Sequence, residues 1–273
     1  NVVKELQVNK VTPEITASTS NITLGDNAVV DVTLPDDATG TVTIKVAGIE
    51  QTTAVTGGVN HITVPGITVG ENQDVIVTYN GNDKYTPNTT STSITVSPKP
   101  TNPDDIKVID NGDGTVTVIV PDNATGDITV KIGDEVLPAV NLTNGKAVIN
   151  LSNSSQKPGK HNITVSYSGD ENHTAVNVTA TGEIPKWDSS VNATAAKIRQ
   201  GDNATIVVEV APKDATGKVY VKIGDTTYAA DLKDGMAVIT APGLTQGTHD
   251  INVTYAGDKY YNGNSNFTSI EDL

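Results

Sequence analysis

The sequence predicts an all-β protein built from three tandem β-sandwich domains of about seven strands each. Three observations carry that prediction. A phrase is written three times at domain-length spacing, branched apolar residues alternate with polar ones, and turn residues punctuate the chain about every 8–12 positions.

The repeat sets the domain count. Pro35-Asp36-Asp37-Ala38-Thr39-Gly40 recurs as Pro121-Asp122-Asn123-Ala124-Thr125-Gly126 and as Pro212-Lys213-Asp214-Ala215-Thr216-Gly217, at spacings of 86 and 91 residues. Val77-Thr78-Tyr79 returns as Val165-Ser166-Tyr167 and Val253-Thr254-Tyr255, at 88 and 88. Periods of about 20–50 residues belong to solenoids, whose units cannot stand alone. A period near 90 lets each unit bury its own core, so 273 residues make three domains. The expected boundaries are 13–98, 104–184 and 187–273, with 1–12 as a linker or the end of a preceding copy. The junctions hold Pro98, Pro100, Pro103 and Pro185, which make semi-rigid linkers.

Within a copy, the elements follow in order. Val29–Leu34 and Val42–Val46 place branched apolar side chains on one face and Thr, Asp or Lys on the other. That period of two marks a half-buried antiparallel strand. In the second copy strands are expected near 106–109, 115–120, 127–132, 136–140, 146–151, 161–167 and 175–181. Asn111-Gly112, Pro121–Gly126, Gly133-Asp134, Asn144-Gly145 and Pro158-Gly159 turn the chain between them. Seven short strands in this space read as an immunoglobulin-like sandwich without the usual cysteine pin. Tyr79, Tyr167 and Tyr255 share a face with core valines and isoleucines, so each is expected to plug one end of its sandwich, its hydroxyl bonded to backbone.

Composition excludes several functions. Net charge is −14 and the only arginine is Arg199, the wrong sign for nucleic acid or an anionic membrane surface. No apolar run is long enough to span a bilayer. Without cysteine there are no disulfides, no thiolate chemistry and no cysteine-ligated metal. A protein of small domains without disulfides fits a prokaryotic surface better than an animal extracellular module, with an ordinary cytosolic protein as the competing reading of the missing cysteines. The chain opens at Asn1 rather than a methionine and is expected to be a segment of a longer protein.

The phrase Gly-x-His-x-Ile-x-Val-x-Tyr-x-Gly-Asp, read at Gly159–Asp170 and Gly247–Asp258, resembles the bacterial Ig-like (Big-type) repeat domains. So does the start Asn9-Lys10-Val11-Thr12-Pro13. The first copy departs, with Gln73 for the histidine and an additional Asn82 before Asp83. These domains occur in adhesin-like cell-surface proteins of Gram-positive bacteria and methanogenic archaea. The resemblance implies an extracellular stalk or adhesin, and leaves the ligand open.

No residue pattern carries catalysis: there is no Gly-x-Ser-x-Gly elbow, phosphate loop or HExxH pair, and no cofactor is expected. His161 and His249 recur as structural residues would. Asp83, Asp170 and Asp258 close the tyrosine strand, and are expected to accept backbone N–H bonds; calcium at these loops is the competing reading. Trp187, the only tryptophan, is expected to wedge between the second and third domains, with a sugar platform as the alternative. Thirteen Asn-x-Ser/Thr sequons occur where composition gives about five by chance. Among them Asn162 and Asn252 are expected to face outward, and Asn123 and Asn203 to lie in turns, making these four the glycosylation candidates, with an Asn/Thr-rich composition copied by repeat duplication as the competing source of the excess.

The expected function is a non-catalytic stalk that projects a distal binding region, with neighbouring Ig-like repeats as its contacts. The alternative is a module whose own loops bind a host glycan or protein.

Overall fold

The computed structural model describes residues 6–121 and 123–272. Asp122 of the second phrase, Leu273 and the first five residues of the expected 1–12 segment lie outside them. Three β-sandwiches follow one another, each around its own hydrophobic cluster. Among the described residues there is no α-helix.

The first sandwich contains β1 (Thr16–Thr19), β2 (Ile22–Thr23), β3 (Ala28–Val46), β4 (Ile49–Val64), β5 (Gly70–Tyr79) and β6 (Asn88–Ser97). Its two long strands each do the work of two. β3 pairs with β4 from Ala28↔Val64 to Leu34↔Gly58, and again from Thr39↔Thr56 to Val46↔Ile49. The register shift between them sets four residues, 35–38, against Gly57 alone, a large bulge that bends the ribbon from one face to the other. The Pro35–Gly40 phrase therefore lies inside a continuous strand here, where the repeat pattern predicts a turn.

The second sandwich contains β7 (Lys107–Asp110), β8 (Thr115–Ile119), β9 (Asp127–Ile132), β10 (Glu135–Val136), β11 (Val140–Asn141), β12 (Lys146–Asn150), β13 (Gly159–Tyr167) and β14 (Val176–Ile184). The strand expected near 136–140 is split into β10 and β11 around Pro138, which has no N–H to give to a ladder. The sheets run β12-β8-β7 and β10-β9-β13-β14.

The third sandwich contains β15 (Ser190–Ala195), β16 (Ala204–Ala211), β17 (Lys218–Ile223), β18 (Thr226–Asp231), β19 (Met236–Ala241), β20 (Gly247–Tyr255) and β21 (Asn264–Asp272). Its sheets run β15-β16-β19 and β18-β17-β20-β21. The alternation read from sequence is the burial pattern observed. Val30, Val32 and Leu34 in β3, and Val219, Val221 and Ile223 in β17, point into the cores, while Lys45, Lys131 and Lys222 point to solvent.

Candidate functional site

The repeated residues converge at one pole of each sandwich. Tyr79, Tyr167 and Tyr255 end their strands fully buried, each packed in the core of its own sandwich. Tyr79 Oη donates to the Thr39 carbonyl at 2.6 Å and Tyr255 Oη to the Thr216 carbonyl at 2.8 Å. Each bond ties the strand carrying the tyrosine to the repeated Ala-Thr-Gly phrase. The Tyr167 hydroxyl has no hydrogen-bond partner among the described residues. Burial, and then the neighbouring Asp carboxylates, push the Tyr167 and Tyr255 hydroxyls up to about 12.

Three residues along, one carboxylate staples two loops. Asp258 Oδ2 accepts from the Thr216 amide at 2.8 Å and Oδ1 accepts from the amides of Tyr260 and Tyr261 at 2.8 Å each. Asp170 does the same for Thr125, Asn172 and His173. Burial raises both carboxyls, but the converging amides outweigh it: Asp258 falls to about 2, and Asp170, with His173 beside it, lies far below the usual carboxylate range. In the first sandwich this place belongs to Asn82, whose Oδ1 accepts from the amides of Lys84 and Tyr85 and whose Nδ2 donates to Thr39. Asp83 is the next residue along, outside this staple.

These oxygens already hold amide hydrogens, which is the geometry of a turn staple. Among the described residues no group of three or more acidic or histidine side chains is arranged to hold a metal ion.

A second repeated pair lies beside the first, and the sequence reading missed it. Tyr85 Oη donates to Asp37 at 2.7 Å, and Tyr261 Oη to Asp214 at 3.0 Å. Position 173 in the second sandwich is a histidine, whose Nδ1 lies 2.9 Å from Asp170. The signal was available, since 85, 173 and 261 keep the 88-residue interval. This second plug also receives the incoming chain: Val11, Lys99 and Trp187 form parallel bridges to Tyr85, His173 and Tyr261.

Trp187 packs at a tilt against Tyr261 and Tyr260 of its own sandwich, with centroids 5.6 and 6.5 Å away. It remains 38% exposed. One contact that crosses the joint comes from Lys157 of the second sandwich, whose Nζ lies 5.0 Å from the Tyr260 ring centroid. His161 and His249 each donate from Nε2 to the carbonyl four residues earlier, those of Lys157 and Thr245. Asn123, Asn162 and Asn203 are exposed, with Asn123 in a left-handed turn, whereas Asn252 is half-buried.

The model for the bacterial Ig-like domain (group 3) matches residues 102–183 and 191–271. No curated protein matches the chain. Among solved structures, the chain is similar to a 1.5-MDa bacterial ice-binding adhesin, at 15% identity and TM-score 0.30, covering 97% of this chain and 100% of that one. The I67–I69 I-band fragment of titin gives 9% identity and TM-score 0.42, covering 97% and 100%. Fibronectin(III)-like modules of Clostridium thermocellum CbhA give 12% and 0.29, covering 58% and 84%. The family match spans more than half of the chain, and the first sandwich repeats the same phrases and registers: the chain belongs to the bacterial Ig-like domain (group 3) family.

Proposed function

We propose that this chain is a non-catalytic stalk segment of an adhesin-like cell-surface protein, extracellular, holding a distal binding region away from the envelope. One observation carries the reading: the joints are almost without slack. β6 ends at Ser97 and Lys99 is already bridged to His173 of the next sandwich, so Pro98 alone is free. β14 ends at Ile184 and Trp187 is bridged to Tyr261, leaving Pro185 and Lys186. Linkers this short, with proline in each, favour an end-to-end array over a folded-back one. Three sandwiches in line reach on the order of 100 Å. Net charge of −14 adds repulsion against collapse.

In this reading the units are 13–98, 104–184 and 187–273, and 1–12 is a linker or the end of a preceding copy. Neighbouring Ig-like repeats are the principal contacts of the segment. The sequons at Asn123, Asn162 and Asn203 suit N-glycans that shield the stalk, and Asn252 suits one less because it is half-buried. Small-angle scattering tests the proposal. It should report a rod with a maximum dimension on the order of 100 Å, and a globule of three sandwiches folded on one another would refute it.

A further inference from the structure

The outer face of the β18-β17-β20-β21 sheet carries an unassigned cavity. Lys222, Asn252 and Phe267 stand side by side across three adjacent strands, as the pairs Lys222↔Asn252 and Asn252↔Phe267 show. They line a shallow cavity of about 460 Å³ together with Asp250, Thr268 and Gly224. Gly224 keeps one side of it open, because that position has no side chain.

Phe267 is the only phenylalanine of the chain and stands 73% exposed. An apolar ring left in water on an otherwise polar strand calls for an explanation. The same position in the other sandwiches is Ser91, opposite Ile76, and Thr179, opposite Thr164. The ring is therefore no requirement of the fold. Around it stand groups of opposite character: an ammonium, a carboxylate and an amide. Neither Lys222 nor Asp250 forms an ion pair among the described residues.

We propose that this face of the third sandwich binds a neutral saccharide. The Phe267 ring offers a flat apolar platform for the C–H face of a pyranose, while Asp250 accepts from hydroxyls and Lys222 donates to them. Phe267 and Lys222 lie two strands apart, about 10 Å, a gap that one pyranose ring with its hydroxyls fills. Lys222 and Asp250 offset one another, so the site has no surplus positive charge for an acidic sugar, and the net −14 of the chain repels one. The second sandwich supplies the internal control. It has an equivalent cavity of about 710 Å³ with Lys131, Gly133, Asn162 and Thr164, but Thr179 replaces the ring.

The test is a glycan array probed with the whole chain, carrying neutral oligosaccharides of glucose, galactose and mannose beside sialylated and uronic-acid ones. The strongest neutral binder is then titrated by NMR. The expected result is a Kd on the order of 1 mM for a neutral glycan, weakened about tenfold or more by Phe267→Ala and by Asp250→Ala. Phe267→Trp should retain binding, and Lys131→Ala in the control cavity should leave it unchanged. All three positions are exposed, and unaltered melting confirms that the variants fold. Binding to no neutral glycan, binding to acidic glycans alone, or binding that survives Phe267→Ala would overturn the proposal. The scattering experiment on shape is independent of each of these outcomes.

Discussion

Asp272 occupies in the third sandwich the place that Ile184 fills in the second. Each lies at the end of the last strand, opposite the glycine that begins the preceding one, in the pairs Gly159↔Ile184 and Gly247↔Asp272. Both are 2% exposed, and neither Asp272 carboxyl oxygen has a partner among the described residues. In the first sandwich the residue 88 positions earlier than Ile184 is Val96, also buried.

A buried polar group without a hydrogen bond costs folding free energy, and an isosteric apolar group removes that cost. Asp272→Ile is therefore expected to stabilise the third sandwich by about 1–3 kcal/mol. Thermal unfolding of that sandwich at pH 7 should move upward, and an unchanged or lowered Tm would contradict the burial on which this rests.

The tyrosines separate packing from hydrogen bonding. Truncating Tyr167 or Tyr255 to alanine empties a large core site and should cost about 3–5 kcal/mol. Removing only the hydroxyl should distinguish the two. Tyr255→Phe loses the bond to the Thr216 carbonyl and should cost about 0.5–1.5 kcal/mol. Tyr167→Phe loses no bond among the described residues and should cost less, or stabilise. Denaturant unfolding of the two variants side by side decides it; equal losses would mean that both hydroxyls are satisfied.

The three copies, the alternating strands and the inward tyrosines were all legible, because each depends on a local pattern or an exact interval. The staple was legible in two copies only. Matching the Gly-Asp phrase led from Asp170 and Asp258 to Asp83, whereas the 88-residue interval leads to Asn82, which makes the bonds. An amide can take the place of a carboxylate where the work is accepting backbone hydrogens, so chemical identity misled where spacing would not. The partners Tyr85–Asp37 and Tyr261–Asp214 lie 48 and 47 residues apart, beyond the reach of any short pattern. Trp187 stands at a junction that the sequence shows, but its ring partners Tyr260 and Tyr261 come from a loop more than 70 residues on. Phe267 broke the polar alternation of its strand and could have been singled out as exposed.

Acid should loosen the second and third sandwiches through the staples. A carboxyl held below its ordinary value stabilises the folded state above the unfolded pKa near 3.8, and that contribution disappears as pH falls through the folded value, about 2 for Asp258. Its worth at neutral pH is about 1–2 kcal/mol once solvent screening is allowed for. Asp258→Asn, which can adopt the bonding of Asn82, should lower the Tm of the third sandwich at pH 7. The gap from wild type should close as pH approaches 2. A gap that stays constant from pH 7 to pH 2 would show that the carboxylate charge contributes nothing.

Chelation offers a separate check on the same loops. Asp170 and Asp258 spend their oxygens on amides, so EDTA should leave every Tm unchanged. A fall of roughly ten degrees would mean that a bound cation contributes several kcal/mol and would replace the staple with a calcium site.

The bulge in the first sandwich rests on one glycine. A Cβ on Gly57 would lie 1.8 Å from the carbonyl oxygen of Asp36, an overlap with backbone that no side-chain rotation relieves. At Gly58 a Cβ would meet nothing within 4 Å, but φ is +85°, a conformation that costs an L-residue about 1 kcal/mol. Both glycines stand at the crossing where the paired β3 and β4 pass from one face to the other. Gly57→Ala should therefore cost more than Gly58→Ala, about 3 kcal/mol or more against about 1. The loss should fall on the first sandwich alone, because its core shares no residue with the others. Differential scanning calorimetry of the whole chain reads both points, as the size of the shift and as the number of transitions that move. Equal shifts for the two variants would mean that the 35–38 segment can move away from Gly57, and that the bulge is adaptable rather than fixed by close backbone approach.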